Sequence, residues 1–310
     1  MKYIVTGGAG FIGSHIVEEL AGKQHEVVIF DNLFSGNMKN IRPVLKNENV
    51  TFVQGSVTDL PLLKKVFCGA DGVFHEAGIA SVPRSVAKPA ETHEVNLTGT
   101  FNVLAVARDC GVKKVLFAST AAVYGNNPVL PKQESMAPDL LSPYAVSKLA
   151  GEGYCSVFSR LYGMQCISLR YFNVFGPRQD PASPYSGVIT KFITNSLGNR
   201  PLVIFGDGKQ TRDFVYVKDV VQANLRAMEQ GIPGVYNIGR GTRVDLLELV
   251  NMIAEITGIS GTITYGPPAK GDVRDSLADI SRARETFGYA PAYTVREGLR
   301  ETIGWFRNLS

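Results

Sequence analysis

The sequence predicts an α/β fold, a doubly wound parallel sheet followed by a smaller C-terminal α/β lobe. Three observations carry this expectation. Short β-branched apolar runs alternate with helical patterns through the first two-thirds of the 310 residues. A glycine triplet, Gly7, Gly10 and Gly13, links the first such run to the first helical pattern. After about residue 176 the alternation gives way to a stretch containing Pro177, Pro181 and Pro184, followed by shorter mixed elements.

The first run, Tyr3, Ile4 and Val5, reads as a buried strand, and Phe11, Ile12, Ile16, Val17 and Leu20 have helical spacing. Gly7 permits a tight turn, Gly10 lets the backbone approach a pyrophosphate, and Gly13 lets helix and strand pack closely. Phosphates would sit at the helix N-terminus, where free N–H groups favour negative charge. The next apolar run, 26–30, ends at Asp31, eighteen positions after Gly13. A carboxylate there accepts from a ribose 2′-hydroxyl and repels a 2′-phosphate, so the site is read as one for NAD in a Rossmann-type sheet.

A polar loop is expected from Asn32 to Asn49, then strand 50–54, a helix from Asp59 to Phe67 and a strand from Asp71 to His75. A helix over 91–110, strand 114–119, a helix from Pro143 to Tyr162 and strand 165–169 follow. The C-terminal elements are helix 188–198, strand 202–205, helix 219–229, strand 235–238, helix 246–257, strand 262–265 and a helix near 295–307. The expected division is an NAD-binding domain over 1–176 and a mostly substrate-binding lobe over 177–310, with the chain crossing between them more than once.

Composition excludes several classes. Hydrophobic content of 45% with 19% charged residues fits a globular chain rather than a disordered one. A net charge of +4 without Lys/Arg runs gives no sign of nucleic acid or a lipid surface, and no apolar stretch reaches membrane-spanning length. The chain enters its first strand within three residues and shows no leader pattern, so a cytoplasmic location is expected. Cys68, Cys110, Cys155 and Cys166 lack C-x-x-C spacing and read as free buried thiols. The four histidines lack metal-ligand spacing, so no metal site is expected.

Chemistry is expected where strands end. Ser119 and Thr120 close one strand, and Tyr144 and Lys148 lie four apart on one helix face. A lysine ammonium beside a phenol lowers the tyrosine pKa from about 10 toward neutrality, which would make Tyr144 a general base with Thr120 on the same substrate oxygen. The alternative for this spacing is a surface helix pair.

With these features the chain resembles the extended short-chain dehydrogenase/reductases, and among them the nucleotide-sugar 4-epimerases, over nearly its whole length. The resemblance rests on the glycine motif 7–13, Asp31-Asn32, His75-Glu76-Ala77-Gly78, Asn96, Ser119-Thr120, Tyr144 with Lys148, and the motifs 170–177, 206–219 and 271–274. It implies that Gly7, Gly10, Phe11, Ile12 and Gly13 hold the pyrophosphate, and that Asp31, Asn32, Ser35 and Gly36 hold the adenosine ribose. Ser56, where the family usually carries an acid, and Val57 would flank the adenine. Ala77, Gly78, Asn96, Ser119, Tyr144, Lys148 and Tyr171 would surround the nicotinamide half. Ser81, Thr120, Tyr144, Asn173, Val188 and Gln210 would contact a UDP-sugar, together with Arg212, Tyr216, Asp272, Arg274 and Ser276. Arg212 suits a diphosphate clamp, the alternative being an ion pair with Asp207 or Asp213. Many family members carry an arginine where this chain has Ala269, and Lys270 or Arg274 offers the replacement charge.

Two stretches discriminate among reactions. Related dehydratases and decarboxylases place Asp or Glu shortly after the catalytic Thr/Ser, whereas here Ala121, Ala122 and Val123 follow Thr120. Simple hydride return is therefore favoured. Ser276 resembles a gate position that is bulky in UDP-glucose epimerases and small in enzymes accepting 2-acetamido sugars, and Ser81–Ser85 and Arg178–Pro181 also look like the acetamido branch. The expectation is reversible 4-epimerisation of UDP-N-acetylglucosamine and UDP-N-acetylgalactosamine with tightly bound NAD. UDP-glucose or UDP-uronic acid epimerisation, and an NAD-sensing regulator, are the alternatives. A homodimer through helices 91–110 and 143–162 is implied by the resemblance alone.

Overall fold

The computed structural model describes residues 1–181, 187–267 and 273–308. The chain opens with β1 (Lys2–Thr6), α1 (Phe11–Gly22), β2 (Glu26–Asp31), α2 (Met38–Ile41), β3 (Val50–Gln54), α3 (Leu60–Phe67) and β4 (Gly72–His75). Next come α4 (Val82–Ala87), α5 (Pro89–His93), a π-helical turn (Glu94–Thr98), α6 (Gly99–Asp109), β5 (Lys114–Thr120), α7 (Pro143–Tyr162) and β6 (Gln165–Tyr171). The remainder holds β7 (Asn173–Phe175), α8 (Val188–Leu197), β8 (Leu202–Phe205), β9 (Thr211–Arg212), β10 (Phe214–Tyr216) and α9 (Val217–Gln230). It ends with β11 (Gly234–Ile238), β12 (Val244–Asp245), α10 (Leu246–Thr257), β13 (Ile263–Gly266), α11 (Ser281–Phe287) and α12 (Val295–Arg307).

Seven parallel strands form one sheet in the order β11-β6-β5-β4-β1-β2-β3. The order reverses between β4 and β1, which opens a crevice at their carboxyl ends. Apolar side chains leave both sheet faces, so Tyr3 and Val5 join one core and Ile4 the other, as the period-two geometry of a strand requires. The region after residue 177 is not purely a separate lobe. β11 pairs with β6 in the main sheet, and α9 packs against α1. Outside the main sheet, β8 pairs with β13, β7 with β10, and β9 with β12.

Local chemistry fixes the long helices. Ser142 caps α7 by accepting from the Ala145 N–H, Pro143 occupies its first turn, and Gly163 ends it at φ 65°. Thr294 and Glu297 form a reciprocal capping box on α12. The expected helix over 91–110 begins instead at Pro89 and carries a π turn around Asn96. The loop 32–49 contains α2 and a 3₁₀ turn at Val44–Lys46, while α4 and α11 are helices that the apolar spacing did not reveal. Of the cysteines, Cys155 and Cys166 are buried as expected. Cys68 is exposed because α3 and α6 both end at the surface, where its Sγ lies 3.0 Å from that of Cys110. Among the described residues, no helix is long and apolar enough to cross a membrane.

A buried ion pair ties α7 to the sheet. Arg170 of β6 donates to both Glu152 oxygens at 2.9 and 2.7 Å, and Ser119 of β5 donates to Glu152 at 2.5 Å. Both charged side chains are only 5% exposed. Arg170 also donates to the Tyr124 hydroxyl at 2.9 Å, which passes its own proton to Asn237 of β11. Removing one partner strands a buried charge. Glu152→Leu is therefore expected to cost about 3–5 kcal/mol in chemical denaturation, with most of it regained by adding Arg170→Met.

Candidate active site

The glycine turn sits in the crevice between β1 and β4. Gly7 has φ 69°, and a Cβ there would lie 2.7 Å from the Ala77 nitrogen; one on Gly13 would lie 2.3 Å from the Gly7 carbonyl. Only glycine permits this packing, which brings the start of α1 against the exit of β4. Gly10 is the N-cap of α1, no side chain satisfies the cap, and no acidic residue occupies the first turn. The amides around Phe11 and Ile12 thus present a positive helix end toward the crevice.

Asp31, 7% exposed, fixes the second half of this cradle. Its Oδ2 accepts from the Ala9 N–H at 3.0 Å and its Oδ1 from the Leu33 N–H at 2.7 Å. A Cβ on Gly36 would lie 2.7 Å from the same carboxylate, so glycine is what leaves its edge approachable. Burial raises the Asp31 carboxyl, while the Leu33 and Ala9 amides pull it back. Asn32 and Ser35 stand exposed beside it. Val57 is buried, held by Asn102 donating to its carbonyl at 3.1 Å, and Ser56 contacts Thr58. These residues fit an adenosine diphosphate without a 2′-phosphate.

Around the ends of β4, β5 and β6 the reactive cluster assembles. Lys148, 4% exposed, donates from Nζ to the Ala118 carbonyl at 2.7 Å. Burial lowers its pKa to about 8. A Cβ on Gly78 would come within 3.3 Å of Nζ and 3.2 Å of Asn96 Oδ1. Asn96 braces the loop beyond β4, accepting from the Ile79 N–H at 2.7 Å and donating to the Ile79 carbonyl at 3.1 Å and to Ser147 at 3.3 Å. The π turn aims this side chain, a recurrent use of such turns at functional sites. Thr120 accepts from the Ala122 N–H at 3.1 Å, and its hydroxyl lies near enough to the Tyr144 phenol to pull it down.

One expectation needs correcting. The Tyr144 pKa is not brought toward neutrality in the protein alone. Burial raises the phenol above the ordinary tyrosine range, the Thr120 hydroxyl pulls it down, and Glu76 pushes it up. Lys148 spends its hydrogen bond on the Ala118 carbonyl instead.

His75 and Glu76 flank this cluster on opposite sheet faces. Thr100 gives its one proton to the Asn96 carbonyl at 2.6 Å, so it accepts from His75 Nε2 at 3.0 Å. Nδ1 then accepts from Thr6 at 2.7 Å. Burial, aided by Lys148, lowers His75 to about 3, and the ring is a neutral strut. Tyr171 lies with its hydroxyl 2.8 Å from Glu76 Oε1 and 2.9 Å from Asn224 Oδ1. Ser119 serves the Glu152 pair through its side chain, not the cofactor half it was expected to line. Sequence reasoning quoted Glu76 inside a motif without a role and missed Asn224, because their meeting depends on α9 returning to the sheet.

Beyond the sheet, Gln210, Arg212 and Ser276 gather along β9. The Ser276 N–H bonds the Thr211 carbonyl at 3.1 Å, and the Thr211 N–H bonds the Arg274 carbonyl at 3.1 Å. Arg212 donates from Nη1 to the Thr211 and Arg274 carbonyls at 2.9 and 3.2 Å. Gln210, 6% exposed, donates Nε2 to the Phe205 carbonyl at 2.7 Å, and its buried Oε1 has no partner. A buried acceptor left open fits a ligand donor such as a nucleotide base or ribose hydroxyl. Arg274 is not a spare cation, since it forms a bidentate pair with Asp207 at 3.0 Å. Asp213 accepts from the amides of Arg240, Gly241 and Ala278. Asn173 is exposed on β7, and Val188 opens α8. Tyr216 is buried with its hydroxyl on Glu301 at 2.7 Å. Ser81 caps α4. Asp272, Ala269, Lys270 and Pro184 lie outside the described residues.

Asp31→Asn keeps the shape of the cradle and removes its charge. Nucleotide retained by the purified protein is expected to fall, with about 10-fold or more weaker NAD binding by calorimetry, the scale of a lost charge-assisted hydrogen bond.

Comparison with known proteins agrees with this geometry. Residues 3–239 match the model of the NAD dependent epimerase/dehydratase family. A putative UDP-glucose 4-epimerase of Methanocaldococcus jannaschii is 41% identical over 307 residues, covering 98% of each chain. A solved UDP-N-acetylglucosamine 4-epimerase from Methanobrevibacter ruminantium, in complex with UDP-N-acetylmuramic acid, superposes with a TM-score of 0.96 at 40% identity, covering 100% of this chain and 99% of the other. A UDP-glucose 4-epimerase from Thermotoga maritima, solved with UDP-glucose, gives 0.95 at 42% with coverage of 100% and 99%. With its glycine turn, its buried aspartate and its Thr–Tyr–Lys cluster on one sheet edge, the chain belongs to the NAD dependent epimerase/dehydratase family.

Proposed function

We propose that the chain is an NAD-dependent 4-epimerase of UDP-sugars and that its preferred pair is UDP-N-acetylglucosamine and UDP-N-acetylgalactosamine. The observation that carries the reaction is the meeting of Thr120 with the Tyr144 phenol, with Lys148 one helical turn further along α7, beside a 3₁₀ turn, Ala121–Tyr124, without a carboxylate. Relatives named as UDP-sugar 4-epimerases support the same reaction.

Gly7, Gly10, Gly13 and Asp31 would hold the adenosine diphosphate of NAD, and Ala77, Gly78, Asn96 and Tyr171 its other half. When bound, NAD supplies an oxidised ring that takes the C4 hydride of the sugar and gives it back. Tyr144 removes the 4-hydroxyl proton and later returns it. Thr120 donates to the same oxygens, which steadies the phenolate and the developing carbonyl. Lys148 adds a buried positive charge that favours the phenolate over the phenol. With no acid at 121–123 to act on the neighbouring carbon, the 4-keto sugar has one productive exit, reduction on its other face after it turns about the diphosphate link. Gln210 and Arg212 would anchor the nucleotide during that turn.

The acetamido preference rests on Ser276, whose backbone is joined to Thr211 next to those nucleotide residues. A short side chain there leaves room for a C2 substituent. The relative solved with UDP-N-acetylmuramic acid is consistent with such room. A homodimer belongs to this reading as well. α6 and α7 leave Phe101, Tyr154, Val157, Leu161 and Tyr162 between 38% and 69% exposed, an apolar face suited to its own copy.

The deciding assay supplies UDP-N-acetylglucosamine and UDP-glucose separately to purified protein without added NAD. Faster conversion of the acetamido sugar is expected, reversed by Ser276→Tyr. Turnover of UDP-glucose alone would remove the acetamido preference, and turnover of neither would remove both. Tyr144→Phe should lower kcat by about 10²–10⁴-fold while UDP-sugar affinity changes far less. Sedimentation should give a dimer, converted to monomer by Val157→Arg with Leu161→Arg.

A further inference from the structure

The Tyr171 hydroxyl lies between two acceptors and owns one proton. Asn224 Oδ1 is 2.9 Å from it, and Glu76 Oε1 is 2.8 Å from it. The Asn224 amide cannot be turned round, because its Nδ2 donates to the Val220 carbonyl at 2.8 Å within α9. Tyr171 therefore gives its proton to Asn224, or two buried oxygens face each other at 2.9 Å with nothing between them. A buried acceptor left opposed in this way costs about 1–3 kcal/mol. Among the described residues, Glu76 is the group placed to supply the second proton that the chain of oxygens needs.

We propose that Glu76 is held as a neutral carboxylic acid that donates to Tyr171, and that this keeps a negative charge away from Tyr144. The proposal rests on Tyr144 as the base, and it makes Glu76 a positioning residue rather than a group that touches substrate. The groups facing Glu76 are Tyr171 from β6, Lys148 and Tyr144 from α7, and the uncharged Asn224 from α9. Burial pushes the Glu76 carboxyl up to about 7, against the pull of Tyr171 and Lys148. Burial and Glu76 together hold the Tyr171 phenol well above the ordinary range, so Tyr171 keeps its proton to give. Ionised, Glu76 would push the Tyr144 phenol further up and make the base harder to form. Neutral, it removes that push. The motif position after His75 thereby acquires a function, which is to satisfy Tyr171 without adding an anion.

Infrared spectra of the purified holoenzyme, wild type minus Glu76→Gln, test the protonation directly. An acid carbonyl band is expected at about pH 6 that fades by about pH 8. Wild type with ¹³C-labelled glutamate gives the same reading through the isotope shift, without any variant. A carboxylate band at about pH 6 in place of the acid band would overturn the proposal. The pH profile of kcat/KM tests the consequence. Glu76→Gln is neutral as the acid is, so its acid limb below about pH 7 should coincide with that of wild type. A limb displaced to lower pH in Glu76→Gln would show that wild-type Glu76 carries its charge there and would overturn the proposal. A failure of Tyr144 as base reads differently, since Tyr144→Phe would then keep its turnover while the Glu76 band persists.

Discussion

A buried ammonium hydrogen-bonded to a backbone carbonyl sets the terms of the site. Lys148 sits at 4% exposure with the Ala118 carbonyl as its hydrogen-bond acceptor and the Phe117 ring 4.9 Å away. Desolvation pulls its pKa to about 8, so it remains largely charged near neutrality, though at a cost. Under the proposed mechanism, a cation held in this way interacts weakly with the neutral Tyr144 phenol and strongly with its phenolate. Its energy would then be realised as the tyrosine proton leaves, which is where an enzyme gains from it. A salt-bridged lysine would have discharged that energy already in the resting state.

The neighbours conform to this requirement. His75 lies three positions before Gly78, and burial between Thr6 and Thr100 keeps its ring neutral, so it adds no repulsion. The one strong buried ion pair nearby, Glu152 with Arg170, is internally compensated and lies one helical turn beyond Lys148 on α7. It fixes the height of α7 against β5 and β6 through Ser119, and so the distance at which Lys148 and Tyr144 meet the sheet edge. Charge is thus segregated: the pair secures the scaffold, and the single ammonium serves the chemistry.

Legibility of this arrangement in the sequence follows the range of the interactions. Gly7, Gly13 and Asp31 are readable because their demands are local, a positive φ, a close approach, and a carboxylate at a strand end. The span of α7 is readable for the same reason, with Ser142, Pro143 and Gly163 marking it within the chain itself. The ionisation of Tyr144 is not, since burial raises its pKa and burial is a property of the packed interior. Nor is the fate of Arg274, which depends on Asp207 sixty-seven positions away. Ser119 looks like a site residue from its place beside Thr120, but alternation along β5 gives its hydroxyl to Glu152. The π turn at Asn96 is not legible in apolar spacing, because the stretches on either side each read as ordinary helix and the shift between them is a single residue.

The two ends of the site ask for opposite mechanics, and the fold separates them. The proposed proton transfer needs Tyr144 and Thr120 fixed to within a hydrogen-bond length, and both stand on regular elements of the main sheet and its flanking helix. Epimerisation also needs a hexose that can present either face of C4, so the sugar cannot be gripped as firmly as its nucleotide. The nucleotide candidates lie on β9, a two-residue strand paired with β12 and joined to the 274–276 segment, outside the seven-stranded sheet. There Gln210 holds one buried acceptor open while its amide is locked to Phe205, a polar group preorganised for a donor that the protein itself does not provide. An anchor of that kind restrains the nucleotide without restraining what hangs from its diphosphate. Under the proposed function, substrate choice would belong to the β9 side, where Ser276 is joined to Thr211, and reaction type to the sheet edge, where Ala121 and Ala122 follow Thr120.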